Sequence, residues 1–242
     1  MGGQPAAIPI GPGLWRVPTA PFDLVNSFLV LGRDDRLTLV DTGIRSAPPR
    51  IRAAIAELGK RPQDVSAIVL THAHSDHAGG AAELVGDTGT GITVHTDDAR
   101  YVASGTTPPR DRSTLLGKLL RWGELTMPAA PVEVELHEGQ LLEDSGLEVH
   151  HTPGHTPGHV SLLHRPSDTL ITGDAIWNMR GRRTWPVLAF CTSARQTKET
   201  AATLADLDYR NAAFTHGPEI RGTGREAVRL FLAHPARFSS LR

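Results

Sequence analysis

Residues 71–80 read THAHSDHAGG, so His72, His74, Asp76 and His77 fall within six positions and two glycines follow. An apolar β-branched run, SAIVL at 66–70, precedes them, and small and apolar residues, AAELV at 81–85, come after. The stretch therefore reads as the loop between a strand and a helix. A loop can aim several side chains at one point. A straight strand cannot, because its side chains alternate between two faces. Imidazole and carboxylate together suit Zn²⁺ or iron better than Mg²⁺ or Ca²⁺, which prefer all-oxygen shells.

More groups of the same kind lie downstream. HHTPGHTPGH at 150–159 places histidines between Pro-Gly turns, TLITGD ends a predicted strand with Asp174, and AAFTHG ends another with His216. Each falls at the C-terminal end of a predicted strand, where α/β folds gather their reactive groups. Four ligands on one loop could close a single site, but the downstream groups favour two metals.

The surrounding chain alternates strands and helices. Strands are expected at 13–18, 25–31, 36–41, 66–71, 91–95, 131–136, 147–152, 159–165, 168–173 and 211–215. PVEVEL at 131–136 shows the period of two that a half-exposed strand requires. Helices are expected at 47–58, 77–85, 97–103, 193–206 and 223–233. In the first of these Ser46 is placed to cap, Pro48 and Pro49 sit in the first turn, and Ile51, Ile55 and Leu58 share one face. The strand-then-helix order occurs before and after about residue 140. That suggests two similar halves of one domain over 1–242, with sheets inside and helices outside. Residues 104–130 stand apart. RSTLLGKLLRWGEL, with Trp122 among its apolar residues, reads equally as a helix docked on the body or as a flap beside an active site.

Composition narrows the partners. Lys plus Arg is 25 and Asp plus Glu is 26, a formal net charge of −1, which argues against nucleic acid as an obligatory partner. The single cysteine, Cys191, excludes an intramolecular disulfide and reads as ordinary packing. No apolar run is long enough to span a membrane. The N-terminal residues have no basic segment and are broken by Pro and Gly, unlike a signal peptide. A cytoplasmic protein acting on a small molecule is the expectation.

Five motifs, VDTG at 40–43, THAHSDHAGG at 71–80, TPGHTPGH at 152–159, TGD at 172–174 and THG at 215–217, occur in this order. Together they resemble the metallo-β-lactamase superfamily, and within it the short hydrolases similar to glyoxalase II and the N-acyl-homoserine lactonases. The resemblance implies the α/β fold of that family, a four-layer αβ/βα sandwich of two mixed β-sheets flanked by helices. By position it implies His72, His74 and His155 as ligands of a first metal and Asp76, His77 and His216 as ligands of a second. Asp174 would bridge both, Asp76 and Asp174 would serve catalysis, Asp41 would orient a metal-bound histidine, and His159 would be structural.

The activity so implied is that of a binuclear zinc hydrolase with two Zn²⁺ per chain. It would cleave an ester-type carbonyl bond (lactone, thioester or ester) with a metal-bridging hydroxide, because metal binding brings the pKa of water from 15.7 toward about 7. No serine or cysteine nucleophile is then needed.

Two features depart from the nearest branches. The lactonases place Tyr three residues after the bridging Asp, whereas this chain has Trp177, whose indole donates a hydrogen bond but accepts none. The stretch after His216 leaves no room for the helical C-terminal domain of glyoxalase II. Mononuclear iron dioxygenases acting on persulfides share the fold and several ligands, and are the alternative. Trp177 and Met179, in AIWNMRGRRTWPV at 175–187, together with Trp122, are the expected substrate-facing residues. His95, His137, His150, His151, His164 and His234 read as structural.

Overall fold

The computed structural model describes residues 5–111 and 126–234. Trp122 and most of the 104–130 segment lie outside the described residues. Within them the first sheet has seven strands in sequential order. They are β1 (Ile8–Gly11), β2 (Leu14–Pro18), β3 (Asn26–Leu31), β4 (Leu37–Val40), β5 (Val65–Val69), β6 (Ile92–His95) and β7 (Val132–Leu136). Pairing is antiparallel from β1 to β4 and parallel from β4 to β7.

The remaining strands are β8 (Leu141–Leu142), β9 (Leu147–His151), β10 (Val160–His164), β11 (Thr169–Ile171), β12 (Trp177–Met179), β13 (Arg182–Thr184) and β14 (Asn211–Ala213). The second sheet runs β14-β11-β10-β9-β8, and only its β11–β14 pair is parallel. β12 and β13 form a separate hairpin. Five α-helices complete the described residues: α1 (Pro48–Glu57), α2 (Ala81–Thr88), α3 (Thr96–Ser104), α4 (Ala194–Ala201) and α5 (Gly224–Ala233).

Alternation along the strands builds the layers. Phe28 and Val30 of β3 meet Val149 of β9 and Val160 and Leu162 of β10 in the core between the sheets. Leu29, one step out of phase, packs with Leu37, Leu39, Ile51, Ile55 and Leu84 under α1 and α2. On the far side Leu163 and Leu170 pack with Ala201, Val228 and Phe231 of α4 and α5. The result is two mixed sheets face to face with helices outside. Phe28 is wholly buried, so truncating it to Ala would cost about 3–5 kcal/mol, a large share of a domain's net stability.

All ten expected strands form, and four short ones, β1, β8, β12 and β13, go beyond the expectation. Two helix boundaries need correction. α1 is capped at Ala47 with no side-chain bond, so Ser46 does not cap it, although Pro occupies its first turn. α2 begins at Ala81 rather than at residue 77. The backbone of 77–79 is committed elsewhere: His77 O accepts Thr42 N–H at 2.6 Å, and Gly79 N–H donates to Gly43 O at 3.0 Å. Among the described residues no helix is long and apolar enough to cross a membrane.

Candidate metal centre

The strand ends deliver their groups to one place. Asp41, directly after β4, takes a left-handed conformation with φ 59°, which Asp tolerates better than most residues. Its buried carboxylate accepts Thr71 N–H at 2.7 Å, the Thr71 hydroxyl at 2.8 Å and His77 Nδ1–H at 2.8 Å. Because a carboxylate can only accept, the Thr71 hydroxyl must donate to it. The same hydroxyl, 3.0 Å from His72 Nδ1, is then left to accept from that ring. His72 Nε2 is therefore a bare lone pair, and it is buried without a hydrogen-bond partner.

The same reasoning fixes two more rings. His77 donates through Nδ1 to Asp41, and His216 donates through Nδ1 to the carbonyl of Leu24, so in both rings Nε2 is the atom that faces the centre. These two nitrogens lie 3.3 Å apart. On the other side His74 Nδ1 is 2.9 Å from His155 Nε2. Neutral lone pairs held this close require a proton or a cation between them. The ring nitrogens of His72, His74 and His155 lie within 4.8 Å of one another, as do the ligand atoms of Asp76, His77 and His216.

Asp174 stands between the two groups. Its Oδ2 is 3.0 Å from His155 Nε2 and 4.0 Å from His72 Nε2, while its Oδ1 is 3.2 Å from His216 Nε2 and 3.5 Å from His77 Nε2. Asp76 Oδ2 lies 3.6 Å from both His77 Nε2 and His216 Nε2. Burial lowers the pKa values of His72 and His74 well below the ordinary value, so both stay neutral and able to ligate. Burial would lower His155 too, but Asp174 overcomes it and raises that pKa to about 10. The centre draws positive charge. Bare nitrogens around a shared carboxylate fit a transition-metal ion, and the structure brings all seven expected ligand residues together.

Supporting contacts hold this geometry. Asp174 does not end a strand, as expected from sequence, but sits in a 3-10 turn at Gly173–Ala175, past the end of β11. His159 is not among the grouped ligands. Its Nδ1–H donates to Thr152 O at 3.0 Å, leaving Nε2 to accept Asp174 N–H at 2.7 Å. Gly173 makes this approach, since a Cβ there would fall 2.5 Å from His159 Nε2 and φ is +54°.

Sequence reasoning missed Asp98. It is fully buried and accepts Ala73 N–H at 2.8 Å, Thr156 Oγ1–H at 2.6 Å and Gly158 N–H at 2.7 Å. It thereby ties the loop of His72 and His74 to that of His155. An acidic residue in the first turn of a helix is too common to signal this. Cys191 is likewise more than packing, because its Sγ lies 3.4 Å from His155 Nδ1.

Two elements flank His216. The Trp177 ring tilts against it with centroids 4.2 Å apart, and Asn178 N–H donates to His216 O at 2.8 Å. Met179 pairs with Arg182 across the hairpin, two residues further on. On the other flank Asp23 O accepts Gly217 N–H at 2.7 Å, in a turn whose Phe22 has φ 59° and is 95% exposed. A bulky residue held left-handed and bare to solvent marks stored strain of the kind found at functional sites.

Known proteins resemble this chain over most of its length. The model of the metallo-beta-lactamase superfamily matches residues 20–216. A probable metallo-hydrolase, YybB of Bacillus subtilis (strain 168), is 29% identical over 81% of this chain and 82% of its own length. A hydroxyacylglutathione hydrolase of Cereibacter sphaeroides is 30% identical over 54% of this chain, but over only 42% of its own length. The crystal structure of a metallo-beta-lactamase family protein from Thermus thermophilus superposes with a TM-score of 0.67 at 28% identity. That match covers 93% of this chain and 80% of that one.

Proposed function

The chain belongs to the metallo-β-lactamase superfamily, and from that premise we propose that it is a binuclear zinc hydrolase acting on an ester-type carbonyl bond of a small molecule. His72, His74 and His155 would hold one ion and Asp76, His77 and His216 the other, with Asp174 placed between the two groups. The carrying observation is the division of Asp174, with Oδ2 facing one histidine group and Oδ1 the other. Zn²⁺ bound here supplies an activated water near neutral pH and polarises a carbonyl oxygen.

The protein's own residues set the stage for that chemistry. Asp41 holds the His77 ring at its angle, and His159 fixes the backbone of Asp174. Burial pushes the Asp76 pKa up, but His77 outweighs it with help from His216, so the carboxylate stays ionised beside both rings. The Trp177 ring lies against His216 and offers apolar surface suited to an acyl group.

The test is elemental analysis after gentle purification, followed by assays with lactones, thioesters, aryl esters and β-lactams. Two zinc ions per chain are expected, with turnover of one of the first three classes that chelation abolishes and Zn²⁺ restores. One ion per chain, or iron with oxygen uptake, overturns the reading.

A further inference from the structure

A second group of histidines gathers away from this centre. β6 ends on His95, β9 ends on His151, and Asp97 lies in the first turn of α3. The rings of His95 and His151 stack with centroids 3.9 Å apart and planes at 14°, and the His137 ring stands edge-on to His95 at 6.3 Å. Asp97 Oδ2 is 3.8 Å from His95 Nδ1 and 4.0 Å from His151 Nε2. The three ligand atoms lie within 4.8 Å of one another.

We propose that His95, Asp97 and His151 form a second, peripheral site for a borderline divalent cation such as Zn²⁺. Two imidazoles and one carboxylate are a donor set that Zn²⁺ accepts and that Mg²⁺ and Ca²⁺ do not favour. His95 is buried, with 4% of its surface exposed, so its ring is held in place. The Asp97 side chain is 54% exposed and is free to swing the remaining distance onto an ion. His151 Nε2–H now donates to Pro157 O at 2.9 Å, so ligation requires the ring proton to move to Nδ1, which frees both Nε2 and that carbonyl oxygen to face an ion. Burial, reinforced by the neighbouring His151, lowers the His95 pKa to about 4, so the ring is neutral at neutral pH, and Nδ1, which accepts Asp97 N–H at 3.3 Å, is its bare nitrogen.

The two centres share a brace but no ligand. Asp97 and Asp98 are consecutive, yet Asp98 turns inward to the ligand loops while Asp97 faces this outer group. An ion here would join β6, β9 and the start of α3, and through Pro157 would abut the loop that carries His155.

The test dialyses wild type, Asp97→Asn and His151→Gln against excess Zn²⁺ and counts the retained ions by elemental analysis. Wild type is expected to hold one ion per chain more than either variant. Whatever number the central site takes cancels in that difference, so failure here is distinct from failure of the binuclear reading. Excess Zn²⁺ should also raise the melting temperature of wild type more than that of Asp97→Asn, an exposed and structurally mild change. Equal ion counts in all three proteins, or equal thermal shifts, would overturn the proposal.

Discussion

His159 Nε2 accepts the backbone N–H of Asp174 at 2.7 Å, and the contact exists because residue 173 has no side chain to occupy the gap. Gly173→Ala should therefore push the two apart. His159→Phe removes the acceptor and leaves a buried N–H unpaired, at a cost of about 1–3 kcal/mol. Both variants should melt lower and retain less zinc. Unchanged melting and metal content in His159→Phe would show that the contact positions nothing.

Asp174→Asn keeps the shape of the side chain and removes its charge. Turnover should fall by about 100-fold or more through lost positioning and electrostatics, with a much smaller change in melting temperature. Near-normal turnover with a full metal complement would rule out the spanning role.

Asp98→Asn turns an NH₂ group toward a backbone N–H, whichever way the amide lies, because both carboxylate oxygens accept from one. Donor against donor should cost about 1–3 kcal/mol of stability. The loops of His72 and His155 lose their common anchor, so zinc affinity, measured by competition with a chelator, should fall. A variant that melts lower but binds zinc as wild type would limit Asp98 to a purely structural part.

His164 offers a pH test away from the centre. Burial lowers its pKa from 6.5 to about 4. The unfolded chain then binds this proton at higher pH than the native one. The stability from a neutral His164 is complete above pH 6.5, declines as pH falls, and is gone below about 4. His164→Leu, compared with wild type in the presence of chelator, should lose less melting temperature across that window. Parallel curves for the two proteins would refute the assignment.

Trp177 separates packing from chemistry. Trp177→Phe keeps a ring against His216 and should lower turnover by less than about 10-fold, or roughly 1.4 kcal/mol. Trp177→Ala removes the wall and should mainly raise KM, as expected when binding common to ground and transition states is lost. A large kcat loss in the Phe variant at constant KM would instead make the indole N–H catalytic.

Legibility in the sequence follows distance along the chain. The alternation in β3, the Pro-opened α1 and the crowded 72–77 loop are patterns within a few residues, and periodicity or ligand type exposes them directly. The start of α2 escapes such a reading because the residues before it bond to Thr42 and Gly43, more than thirty positions earlier. Cys191 reads as packing because nothing near it in sequence points to His155, 36 residues away.

The sequence alone determined the order of the ten main strands and of the helices, the two-sheet α/β architecture and the chemical kind of the seven side chains gathered at the centre. Only the tertiary structure decided which groups meet. His74 and His155 are 81 residues apart, yet their ring nitrogens stand 2.9 Å from each other. The rings of His95 and His151 stack because the C-terminal ends of β6 and β9, from different sheets, meet there. Side-chain type and local period belong to short windows of chain, whereas such meetings depend on how two sheets pack through a shared core, set by apolar burial over the whole domain.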